Sequence, residues 1–283
     1  MPPVTSAHVP TATAARCFDH SPIIVTHPAL TPLLGGDLEI TGRLLSASNA
    51  TFLSELRCGA DTITCVYKPA RGERPLWDFP HRTLGLREVA AYEVSRIGGF
   101  DLVPVTVMIE GPLGAGSLQR WVEEDEKETS TLVDLVSADT LPRQGWFTCV
   151  EGLGAGDQPV AVIHADRPEL RLLAVFDALI NNADRKGGHI LGSGGRVFGV
   201  DHGVSFHTDL KLRTLLWGWA GAEVTDAELA HVERVRELAP GELRTLLSEA
   251  EIEALIARAD VLIERRRLPR PRGSWPAIPW PPF

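Results

Sequence analysis

Lysine is scarce in this sequence. Only Lys68, Lys127, Lys186 and Lys211 occur, and arginine supplies the rest of the 28 basic residues. A lysine kept in so arginine-rich a chain marks a position where a compact ammonium serves and a planar guanidinium does not. Cysteine is scarce too: Cys17, Cys58, Cys65 and Cys149 form no C-x-x-C pair. That argues against a zinc ribbon or a disulfide scaffold and fits a reducing, cytoplasmic compartment. Positive charge is in deficit, with 37 acidic against 28 basic residues and a formal net charge of −9. Non-specific nucleic-acid binding through a basic face is thereby disfavoured. No apolar run approaches the roughly 20 residues that cross a bilayer, so no transmembrane segment is expected. The first residues lack a basic stretch followed by an apolar one, so no secretory signal is expected either.

What is present is 283 residues, 44% of them hydrophobic, enough for one large domain or two lobes. Residues 1–36 carry Pro, Thr, Ala and His without period and read as a disordered extension. Residues 37–122 read as a β-rich lobe. Leu38–Leu45 and Thr51–Arg57 alternate, and Thr62–Lys68 is a β-branched run between turn signals. Leu84–Ile97 has helical spacing and stops at Gly98-Gly99. Val103–Ile109 and Ser117–Val122 read as further strands. Residues 123–268 are expected to be mainly helical. Pro168–Asn181 carries an apolar face, with Asp166 expected as its cap. Thr225-x-x-Glu228 and Ser248-x-x-Glu251 are capping-box patterns. Residues 269–283, rich in Pro and Trp, read as an irregular tail folded back on the body. Contact of Arg265–Arg272, Trp275 and Trp280 with an anionic membrane surface is the competing reading.

The densest polar stretch is Asn181-Asn182-Ala183-Asp184-Arg185-Lys186-Gly187-Gly188-His189. A short hairpin from Ile190 to Val200 follows and delivers Asp201-His202-Gly203. The hairpin brings His189 and Asp201 to one end, beside Asp184. Two carboxylates and an imidazole at a sheet edge can hold a divalent cation and take a proton from a hydroxyl. Asp177 and Asn181, one helical turn apart, are expected to brace that loop.

Asp184-Arg185-x-x-x-His189 followed by Val200-Asp201-His202-Gly203 resembles the catalytic loop and metal-binding motif of phosphatidylinositol 3- and 4-kinases. The chain looks most like an actinobacterial group distantly similar to those kinases. Shared blocks are Ser48 to Leu53, Val66-Tyr67-Lys68-Pro69, Arg87 to Tyr92 and Gly116 to Gln119. The resemblance spans roughly Leu38 to Leu268. It implies an α+β, two-lobed, protein kinase-like fold that binds ATP and Mg2+ or Mn2+ between its lobes. It also implies transfer of a phosphoryl group to a hydroxyl of a lipid, protein or small-molecule acceptor. By the resemblance, Lys68 contacts the α- and β-phosphates and Glu88 holds it, with Glu93 the competing partner. Ser48, Asn49 and Thr51 belong to the nucleotide-covering turn. Gln119, Trp121 and Val122 lie at the hinge facing adenine. Asp184 is the base or hydroxyl-orienting group, and His189 and Asp201 are the metal ligands. The kinases usually carry Asn where this chain has His189. Two other readings stand beside phosphotransfer: a nucleotide-binding pseudokinase without turnover, and a metal-dependent hydrolase using His189, Asp201, His202 and His207.

Overall fold

The computed structural model describes residues 36–44, 49–273 and 276–283. The chain is α+β, with most of its strands before residue 166 and its long helices mainly after it. Five antiparallel strands form the first sheet: β1 (Asp37–Arg43), β2 (Phe52–Cys58), β3 (Asp61–Pro69), β4 (Thr106–Gly111) and β5 (Gly114–Arg120). Their order is β1-β2-β3-β5-β4. Alternation along β3 sends Cys65 and Tyr67, both fully buried, to one face. Val66 and Lys68 therefore face the other way. Between β3 and β4 runs α1 (Leu84–Gly98), which ends where Gly99 takes a left-handed φ of 71°, a conformation that costs glycine nothing.

Residues 123–165 correct the expectation of a mainly helical second half. After a one-turn helix α2 (Glu126–Ser130), three strands form a second sheet: β6 (Val133–Ser137), β7 (Trp146–Leu153) and β8 (Pro159–Ala165), ordered β6-β8-β7. Val160-Ala161-Val162-Ile163 is the continuous apolar run of a central strand, and Ala161 to Ile163 are buried. Beyond it the helices follow as expected: α3 (Pro168–Ile180), α4 (Asp226–Glu242) and α5 (Glu249–Arg265), with the hairpin β9 (Ile190–Ser193) and β10 (Arg196–Gly199) after α3. Both capping boxes form, Thr225 with Glu228 and Ser248 with Glu251. Asp166 does not cap α3. Arg167 is the N-cap residue, without a side-chain bond, and the Asp166 carboxylate instead accepts the Trp219 indole N–H at 2.9 Å.

One continuous apolar core runs from the first sheet through α1 and α3 to α4 and α5. Polar clamps cross it. Arg87 on α1, almost fully buried, donates to the Ser205 carbonyl and forms an ion pair with Glu251 on α5. Arg96 on α1 pairs with both Glu93 and Glu242. Among the described residues no helix is long and apolar enough to cross a membrane.

Candidate functional site

The side chain of Lys68, near the end of β3, is tied to two distant parts of the chain. Its Nζ lies 2.5 Å from Glu88 Oε1 on α1 and 2.8 Å from Asp201 Oδ1 just after β10. The second Glu88 oxygen accepts the backbone N–H of His202 at 2.9 Å. Glu88 is thus the lysine partner, and Glu93 is spent on Arg96. Burial works to lower the Lys68 ammonium, but the carboxylates of Asp201 and Glu88 outweigh it and raise it above the ordinary lysine range. The Lys68 ammonium in turn holds the Asp201 carboxyl far below its usual value, with burial opposing. Asp201 itself sits at a φ of 58°, a conformation rare for a side chain outside glycine and concentrated at functional sites.

Residues 181–189 bring the other half. Asn181 ends α3 in the left-handed region, and its amide bonds to the carbonyls of His207 and Asp209 and to the N–H of Lys211. Asp177 receives Arg185 through both carboxylate oxygens, together with Asn182 and Thr214. Arg185 is fully buried, which settles it as a brace rather than a surface charge. Its other nitrogens donate to the carbonyls of His189 and Val200 and to His202 Nε2. Since an arginine can only donate, His202 carries its hydrogen on Nδ1, and that buried atom has no partner. The bracing role expected of Asp177 and Asn181 is what these bonds provide.

His189 Nδ1 lies 3.0 Å from the Asp184 carbonyl, leaving Nε2 to face Asp201 Oδ2 at 3.4 Å. Burial pushes the His189 imidazole below the ordinary histidine range, with Asp201 partly opposing, which favours the neutral ring that can ligate. Two ligand atoms on one edge of a Mg2+ octahedron lie about 3 Å apart, given bonds of about 2.1 Å. The His189–Asp201 pair therefore fits such an edge with small adjustment. Among the described residues no group of three histidine, cysteine or carboxylate side chains is gathered for a metal. Neither His202, bound to Arg185, nor His207, which accepts the Asp209 N–H at 2.9 Å, turns toward this pair. Asp184 bonds to Lys186 at 3.4 Å. Burial raises its carboxyl above the usual range, with Lys186 partly opposing.

The other residues expected at a nucleotide lie as follows. Ser48 lies outside the described residues, as do the first 35. Asn49 Oδ1 accepts the Arg74 N–H at 2.8 Å, and the Thr51 hydroxyl donates to the Asn49 carbonyl. Both residues are thus already engaged, Asn49 by the segment after β3 and Thr51 by the Asn49 carbonyl. Gln119 is buried on β5 and donates to Thr106 at 2.8 Å. Trp121 is partly exposed, with its indole 3.3 Å from Glu123, and half-buried Val122 follows it. Sequence reasoning missed the charged residues of the segment 70–83. The signal was its density of arginine: Arg71, Arg74 and Arg82.

The tail reaches this loop. Gly187 donates its N–H to the Pro282 carbonyl at 2.8 Å, and Ala277 accepts from the Trp217 indole. A Cβ at Gly187 would stand 2.5 Å from the Phe283 ring. Gly187→Ala is expected to lower thermal stability by about 1 kcal/mol through displacement of that ring. In a Phe283→Ala background the same change should cost close to nothing. Additive losses in the double variant would show that the ring does not fill this space.

Protein Rv2133c of Mycobacterium tuberculosis (strain ATCC 25618 / H37Rv) is 47% identical to this chain over 263 residues, covering 89% of this chain and 94% of that protein. The chain belongs to the family of Protein Rv2133c. No family model matches the sequence. The shared length takes in most of the chain, so the likeness reaches well beyond a single motif.

Proposed function

We propose that the chain is a phosphotransferase of kinase-like fold that uses ATP and a divalent cation to phosphorylate a hydroxyl group. The observation that carries this reading is the Lys68 ammonium held between Glu88 and Asp201. A strand lysine paired with a helix glutamate, beside an acid that leads out of a hairpin, is the arrangement protein kinases use to grip ATP phosphates and their cation. Its support is chemical as well as positional. Asp201 is kept ionised beside a lysine, while burial raises Asp184. Two carboxylates pushed in opposite directions suit two roles: Asp201 and His189 as cation ligands, Asp184 as proton acceptor. Bound ATP with its cation would supply the transferable phosphoryl group. Lys68 would hold the phosphates, Asp184 would orient the acceptor hydroxyl and take its proton, and Asp177 with Arg185 would keep that loop in place.

Calorimetric titration of ATP with Mg2+, and then with Mn2+, into the protein and into Asp201→Asn tests the reading. Cation-dependent binding that the variant loses is expected. Folded protein that binds ATP with neither cation would remove both the kinase reading and its nucleotide-binding, non-catalytic alternative.

A further inference from the structure

Residues 70–83, between β3 and α1, border the site above, where the Arg74 N–H bonds to Asn49. They line an open cavity of about 380 Å³ with the exposed side chains of Arg71, Arg74, His81 and Arg82 around Leu76 and Phe79. Glu73 also lines it, but its carboxylate already accepts the N–H groups of Leu84 and Gly85 at 3.2 and 3.0 Å. Those bonds close the first turn of α1, and the carboxylate also interacts with the charge of Arg82. Among the buried arginines, Arg87 and Arg185 are each matched by a carboxylate, whereas Arg258 bonds to the Leu179 and His207 carbonyls. Arg71, Arg74 and Arg82 form no ion pair with any described residue. Arg82 adopts a φ of 61°, a sparsely populated conformation of the kind that collects at ligand clamps.

The position of the cavity matters as much as its charge. At one end the segment is fastened to the turn before β2: Ala50 donates to the Gly72 carbonyl, and Arg74 N–H to Asn49. At the other end Asp78 pairs with Lys211, and Phe79 packs edge-on to His207, ring centroids 5.3 Å apart. Lys211 and Arg213 are in turn bonded to Asn181, Asn182 and Ala183, immediately before Asp184. The segment thus bridges the turn assigned to nucleotide and the strip beside the proposed base.

We propose that this cavity is the acceptor subsite and that it takes a phosphate group carried by the acceptor. Guanidinium groups bind phosphate through paired, charge-assisted hydrogen bonds, and three unpaired arginines at one opening provide them. The inference rests on the phosphotransfer reading, because the acceptor role has meaning only beside a nucleotide site.

The test is calorimetric titration of inorganic phosphate into the full chain saturated with Mg2+ and a non-hydrolysable ATP analogue. Saturable binding is expected. Arg71→Gln and Arg82→Gln should each weaken it about tenfold, and the distant Lys127→Gln should leave it unchanged. Because both arginines are exposed, melting curves should match those of the unaltered protein. A second arm measures sedimentation with phosphatidylcholine vesicles with and without phosphatidic acid. Arginine-dependent vesicle binding assigns the phosphate to a lipid headgroup, and its absence beside phosphate binding assigns it to a soluble acceptor. Either supports the subsite. No phosphate binding in protein that still takes up the analogue overturns the subsite and leaves the phosphotransfer reading standing. Binding indifferent to both arginine substitutions overturns it as well. Failure to take up the analogue refutes the phosphotransfer reading, and the acceptor role with it.

Discussion

Asp177→Ala is expected to lower the stability of the folded protein by about 3–5 kcal/mol, the usual cost of stranding one partner of a buried ion pair. Asp177 and Arg185 both have fully buried side chains. Removing the carboxylate leaves the guanidinium with carbonyls and His202 Nε2 but no opposite charge. The loss should appear in urea unfolding as a lower midpoint at unchanged slope. A shift worth less than about 1 kcal/mol, the range of exposed pairs, would mean that water reaches the pair. The damage should also be local to the site. Arg185 ties the carbonyls of His189 and Val200 together, so the residues on either side of the proposed cation edge lose a common anchor.

The second large effect is catalytic. If Asp184 takes the acceptor proton, Asp184→Asn should reduce phosphoryl transfer by about 10²–10⁴-fold while calorimetric binding of ATP with Mg2+ is retained. Transfer to water, followed as ATP hydrolysis, gives a readout that needs no identified acceptor. Equal rates for the variant and the parent would place the proton acceptor elsewhere. Parent protein that binds ATP yet shows no turnover with any acceptor would favour the non-catalytic, nucleotide-binding reading.

The sequence made the first sheet legible because its strands alternate and its turns carry Gly, Asn and Asp at the right places. Helices α3, α4 and α5 were legible from periodicity and capping boxes. The second sheet was not. Val133–Ser137 is short, and Val160–Ile163 is a fully apolar run that resembles a helix segment when its neighbours in space are unknown. The hairpin argument set His189 beside Asp201, and their side chains lie 3.4 Å apart, because a tight turn at Gly194-Gly195 leaves little freedom. The choice of Glu88 over Glu93 could not come from spacing alone. Both lie on α1 and both are buried. Glu93 turns to Arg96 one turn along α1, and the same guanidinium also meets Glu242 of α4. The role of Arg185 was equally hidden. A charged residue beside Lys186 in a Gly-containing loop looks solvated, and its burial depends on Asp177 being aimed at it from α3.

The clamp between α1 and the C-terminal helices bears on timing rather than architecture. To part Glu88 from Lys68, α1 would have to swing, and its neighbour Arg87 would have to leave both the Ser205 carbonyl and Glu251. Arg96 would have to give up Glu242 a little over two turns further along. The helix is a strut bolted at two points, not a lever. A switch that works by rotating this helix out of register has no low-cost route here. Throughput would then follow the arrival of ligands at a site already assembled.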